Sequence, residues 1–64
     1  MIKIIGRKSD QATIKEPLAL LNIMQSMSIS RERFIALLNG APATSDDIVK
    51  PDDDLVFLEI FSGG

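Results

Sequence analysis

The chain has 64 residues, 45% of them hydrophobic and 25% charged, with a net charge of −2 and neither cysteine nor histidine. A chain of this length forms one domain and buries only about 60% of the surface its unfolded form exposes, so it cannot wrap a drug-sized pocket in its own walls. The missing Cys and His exclude disulfide staples, Cys/His zinc sites, thiol nucleophiles and imidazole bases.

Met1 to Ile5 reads as a strand, with Ile2 and Ile4 on one face around Lys3. Gly6-Arg7-Lys8-Ser9-Asp10 has turn chemistry, and Gln11 to Lys15 is expected to return as the second strand of a hairpin. Pro17 suits the first turn of a helix, where its missing N–H costs nothing. Beyond it Leu20, Ile23, Met24 and Met27 fall at i, i+3, i+4 and i+7, one apolar helical face, widened by Leu18 and Leu21. Ser26, Ser28 and Ser30 lower helical propensity, so the helix is expected to stop near Ser28, with Ile29 folded back beneath it.

Arg31-Glu32-Arg33 leads into Phe34-Ile35-Ala36-Leu37-Leu38, a continuous apolar run of strand length. Asn39-Gly40 closes it with the strongest short turn dipeptide. Ala41 to Lys50 reads as irregular, with Thr44 or Ser45 starting a single helical turn. Pro51-Asp52-Asp53-Asp54 is a further turn, and Leu55 to Phe61 a final strand. The economical arrangement is α+β: one mixed sheet of four to five strands, packed on one main helix, with the first and last strands side by side in its centre. Residues 1–61 are expected to form the domain and 62–64 a flexible tail.

Alternation predicts that Phe34, Ala36, Leu38, Val56, Leu58 and Ile60 face the helix. Ile35, Leu37 and Phe57 then face away, with Phe61 joining them near the tail. Nothing else in so short a chain covers that second face, and an exposed apolar patch commonly marks an interaction surface. A one-residue error of phase in any strand would exchange its two faces.

No apolar run approaches the ~20 residues of a membrane span. The N-terminus carries no signal-peptide pattern, and a soluble cytoplasmic protein is expected. Seven scattered Lys and Arg residues, with no aromatic–basic cluster, disfavour nucleic acid as a partner. Asp52-Asp53-Asp54 reads as a solvated corner before it reads as a metal site, and the methionines as core filler.

The sharpest feature is the ending, Ser62-Gly63-Gly64. With glycine near 7% of residues, a chance Gly-Gly ending is expected in roughly 0.5% of chains. A frayed terminus is the plain alternative. Two residues without Cβ atoms also thread a channel too narrow for side chains, and a strand directly upstream gives the tail a direction. That arrangement suits a protein whose terminal carboxylate is itself a substrate.

Taken together, Phe34 to Gly40, the Pro51-Asp54 turn, Leu55 to Phe61 and Ser62-Gly63-Gly64 resemble the ThiS/MoaD family of ubiquitin-like (β-grasp) sulfur carriers. The similarity covers nearly the whole chain in length and element order, and the length is closer to the thiamine branch, ThiS. Two departures stand out: Pro51 with three Asp residues replaces a turn that usually carries Gly between acidic residues, and the segment after Asn39-Gly40 is shorter than usual.

The resemblance implies a carrier rather than an enzyme, with no tightly bound cofactor. A ThiF/MoeB-like activating enzyme uses ATP to adenylate the Gly64 carboxylate, a sulfur donor protein converts it to a thiocarboxylate, and Ser62 and Gly63 thread the tail. The acceptor is then thiazole synthase in thiamine biosynthesis. Alternatives are the small subunit of molybdopterin synthase, docked on the large subunit, a ubiquitin-like modifier conjugated through Gly64, or a plain interaction module.

Overall fold

A computed structural model of the chain describes residues 1–60. In chain order the elements are β1 (Ile2–Ile5), β2 (Asp10–Ala12), β3 (Leu18–Ala19), α1 (Leu20–Ser26), β4 (Phe34–Leu38), β5 (Ala41–Pro42), β6 (Ile48–Val49) and β7 (Leu55–Glu59). Five strands form one mixed sheet in the order β2-β1-β7-β4-β5, and β3 pairs with β6 in a small second ladder. The architecture is α+β, with one helix on one face of the sheet. β1 and β7, the first and last strands, lie side by side and run parallel, as the arrangement of one mixed sheet on one helix predicts.

The first hairpin is shorter and earlier than the sequence suggests. β2 pairs Ala12 with Ile2, Gln11 with Lys3 and Asp10 with Ile4. A four-residue β1 has no room for Thr13 to Lys15, so the chain leaves the ladder and Ile14 packs against the core from outside it.

The helix begins at Leu20, not at Pro17. Leu18 and Ala19 are held instead as β3, opposite Val49 and Ile48. The Ala19 side chain offers no cap, so backbone carbonyls supply the acceptors that the first helical amides need. Leu20 N–H donates to Asp47 O at 2.8 Å and Leu21 N–H to Ser45 O at 3.2 Å. At the other end Ser28 takes a left-handed conformation, φ 57°. Its N–H reaches Gln25 O at 3.3 Å while Ile29 N–H reaches Met24 O at 2.8 Å, the paired closure of a Schellman motif. That closure turns Ile29 under the helix against the core, as its position after Ser28 suggests. Seven helical residues are too few to be stable alone, so packing must hold them.

The second hairpin follows sequence chemistry closely. Asn39 and Gly40 have φ of 52° and 85°, both positive, as a two-residue type I′ turn requires. The stretch from Ala41 to Lys50 is more ordered than expected, since it contains β5 and β6. Thr44 to Asp47 closes as a β-turn rather than a helical turn: Asp47 N–H donates to Thr44 O at 3.1 Å, and Thr44 N–H to Asp47 Oδ2 at 2.8 Å.

The core comprises Ile2, Leu20, Ile23, Met24, Ala36, Val49, Leu55 and Phe57. Three helix residues at i, i+3 and i+4 meet alternate residues of the central strands, so the two periodicities match across one interface. Among the described residues no helix is long and apolar enough to cross a membrane.

Candidate functional site

Strand register determines which side chains share each face. In the antiparallel pair of β4 and β7, Ala36 lies opposite Phe57, Ile35 opposite Leu58, Leu37 opposite Val56 and Leu38 opposite Leu55. In the parallel pair of β1 and β7, Ile2 aligns with Leu55, Lys3 with Val56, Ile4 with Phe57 and Ile5 with Leu58. The face toward the helix therefore carries Ile2, Ile4, Leu55, Phe57, Ala36 and Leu38. The outer face carries Lys3-Val56-Leu37 as one row and Ile5-Leu58-Ile35 as the next.

This corrects the phase expected for the last strand. Phe57 is wholly buried and belongs to the core, so it is not part of a docking face. Val56 and Leu58, expected to meet the helix, lie on the outer face, and Ile60 shares their parity. The assignments in β4 hold: Ala36 is buried, Phe34 and Leu38 pack against the core, and Ile35 and Leu37 face outward. The reason is steric. Ala36, the smallest residue of its strand, lies directly opposite Phe57, and both are buried, so a small and a large residue share the inner face. Sequence alternation alone is symmetric between faces, and the register that sets Ala36 opposite Phe57 separates them.

The outer face is apolar and open. Ile5 is 49% exposed, Ile35 46% and Ile60 43%, while Val56, Leu37 and Leu58 are half-buried between them. Three isoleucines exposed at one end of a sheet form a contiguous patch rather than isolated apolar residues. Lys3 borders the patch, and Arg33 stands at its far rim, where Ile60 N–H donates to Arg33 O at 2.6 Å and extends the ladder past β7.

The patch lies at the end where β7 runs out toward the C-terminus. Because β1 is parallel to β7, the loop after Ile5 arrives at the same end. Gly6 is packed against Glu59 so closely that a Cβ at position 6 would overlap its side chain. Arg7 N–H donates to Glu59 Oε1 at 2.8 Å. Glycine here is a requirement of close approach, and the contact ties the first loop to the last residue of β7. Phe61, Ser62, Gly63 and Gly64, the remaining residues singled out by sequence, lie outside the described residues.

The opposite end of the sheet is closed by the acidic turn. Asp53 Oδ2 accepts from Lys50 N–H at 2.9 Å and Asp53 N–H donates to Lys50 O at 2.9 Å. Asn39 Nδ2 donates to Asp53 Oδ1 at 3.1 Å, while Asn39 Oδ1 accepts from Asp54 N–H at 2.9 Å. The Lys50 amide, and then the Asn39 amide, hold the Asp53 carboxyl below the usual aspartate range. These carboxylates build a turn, and among the described residues no group of three or more Asp, Glu, His or Cys side chains is placed to hold a metal ion. No protein-family model matches the chain, and no curated protein matches it.

Proposed function

We propose that this chain is a β-grasp sulfur carrier that works through the Gly64 carboxylate, and that it serves the thiazole branch of thiamine biosynthesis. The observation that supports the reading is the position of β7. It is the central strand, flanked by β1 and β4, and its ladder continues through the Ile60–Arg33 hydrogen bond. A Ser-Gly-Gly sequence therefore follows the central strand of the domain after two residues, Ile60 and Phe61. The order hairpin, helix, hairpin, central last strand is that expected of a β-grasp.

The chemistry belongs to partners. A carboxylate is a poor electrophile. A ThiF/MoeB-like enzyme joins a Gly64 oxygen to the α-phosphorus of ATP, releasing pyrophosphate and making AMP the leaving group. A persulfide sulfur from a donor protein displaces AMP, and a second thiol resolves the resulting S–S bond as a disulfide. The thiocarboxylate left on Gly64 passes its sulfur to thiazole synthase. We assign docking of the activating enzyme to the outer sheet face, Ile5, Ile35, Leu37, Val56, Leu58 and Ile60. Its open end adjoins the end of β7, so an enzyme seated there holds its active site within reach of a short tail.

The test is the mass of the intact chain and of its C-terminal peptide after incubation with the host's activating enzyme, ATP and a sulfur donor. Replacement of one carboxylate oxygen by sulfur is expected. Unmodified carboxylate throughout overturns the reading, and Gly-Gly remnants on lysines of other proteins would redirect it to a protein modifier.

A further inference from the structure

The acidic turn and the second hairpin are joined at Asn39, whose backbone N–H donates to Asp54 O at 2.7 Å and whose side chain, held by Asp53 and Asp54, is chemically labile. Asn39 precedes Gly40, is exposed, and sits in the turn at φ 52° with Gly40 at φ 85°. A Cβ built on Gly40 meets nothing within 4 Å outside its chain neighbours, so no other segment packs against the turn at that residue. The Asn39 carboxamide is held at both ends, by Asp53 Oδ1 on its nitrogen and by Asp54 N–H on its oxygen. A backbone N–H at 2.9 Å from a carbonyl oxygen polarises that carbonyl and stabilises negative charge that develops on it.

We propose that Asn39 is a site of spontaneous deamidation, and that its conversion breaks the side-chain tie between the hairpin turn and the acidic turn. The Gly40 backbone nitrogen loses its proton and attacks Asn39 Cγ. The N–Cγ bond forms, the Cγ–Nδ2 bond breaks, and ammonia leaves with that proton, giving a five-membered imide. Water then opens the ring. Cleavage between the Gly40 nitrogen and Cγ yields an aspartate at position 39, and cleavage at the backbone carbonyl yields an isoaspartate. Nothing is oxidised or reduced, and water is the only co-reactant.

The consequence follows from what Asn39 contacts. Its Nδ2 is a donor to a carboxylate at 3.1 Å. After conversion an acceptor-only carboxylate faces Asp53, so a hydrogen bond becomes a like-charge contact. The isoaspartate product also adds a backbone carbon to a two-residue turn whose register depends on its length. Either product loosens the corner where Leu38, Ala41 and Leu55 meet.

The chain carries its own control. Asn22, the second asparagine, lies in α1 and precedes β-branched Ile23, which crowds the same attack. The experiment incubates the full chain at mildly alkaline pH and follows it by peptide mass spectrometry with isoaspartate detection. Asn39 is expected to gain the mass of an amide-to-acid conversion well before Asn22, and converted protein to melt at a lower temperature. Asn39→Asp supplies the aspartate product directly: it should lower the melting temperature and shift the Asp53 titration, followed by NMR, to higher pH. Asn39→Ser should abolish conversion in that peptide. Conversion of Asn39 no faster than Asn22, or an Asn39→Asp chain that melts and titrates at Asp53 like the parent, overturns the proposal.

Discussion

The two faces of the sheet are built from the same kinds of residue and have opposite fates. Along β7, Leu55 and Phe57 are fully buried, while their neighbours Val56 and Leu58 remain partly open on the other side. Across the sheet Ile2 is 2% exposed and Ile5 is 49% exposed, although both are isoleucines of one strand. Hydrophobicity thus marks both faces and distinguishes neither. The inner face differs in having size complementarity, Ala36 against Phe57, and a helix whose apolar stripe covers it. Among the described residues the outer face has apolar surface without a covering element, a pattern that suits a partner surface.

Several substitutions would break or sharpen this contrast. Phe57→Ala should have the largest effect, since removing a buried Phe costs about 3–5 kcal/mol, comparable with the whole stability of a domain this small. Chemical denaturation would check it; a loss below about 1 kcal/mol would return Phe57 to the outer face. Gly6→Ala should follow at about 1–3 kcal/mol from overpacking against Glu59. Glu59→Ala should not rescue it, because Glu59 Cβ itself lies 2.6 Å from where the new carbon would sit. A double variant as stable as Glu59→Ala alone would refute that geometry.

Asp53 provides a pH-dependent comparison away from both faces. Its folded pKa lies below its unfolded value, so its contribution is present above the unfolded pKa, about 4, and is lost as pH falls through the folded value. Asp53→Ala should be less stable at neutral pH and should lose less stability between neutral and acid pH than the parent. Parallel stability–pH curves for the two chains would contradict the arrangement. Ile35→Ser should change stability least, within about 0.5 kcal/mol, because the side chain is exposed. If the outer face docks an activating enzyme, the same change should raise the KM for the carrier in adenylation while leaving kcat near the parent's. Unchanged KM would move the docking site elsewhere.

Much of this was legible beforehand because it rests on local chemistry. The Asn39-Gly40 turn, the helical stripe of Leu20, Ile23 and Met24, the β4 run and the inward–outward alternation within β4 all follow from near-neighbour sterics and periodicity. The misreadings have a common origin in contacts between segments distant in sequence. Pro17 is a good helix starter, yet Leu18 and Ala19 are captured by Ile48 and Val49, some thirty residues away. The stretch from Ala41 to Lys50 lacks strand periodicity, yet it supplies two short strands and the carbonyls that cap α1.

The candidate site divides in the same way. Local sequence alone was enough to group Ile35 with Leu37 on one face of β4 and to single out Ser62-Gly63-Gly64 as the chemically distinctive segment. Tertiary structure decided which residues stand beside Ile35 and Leu37. A strand's two faces are equivalent until a neighbour breaks the symmetry, and here Ala36, Ile2 and Ile4 break it. Their alignment draws Leu55 and Phe57 inward and leaves Ile5, Val56, Leu58 and Ile60 on the open face.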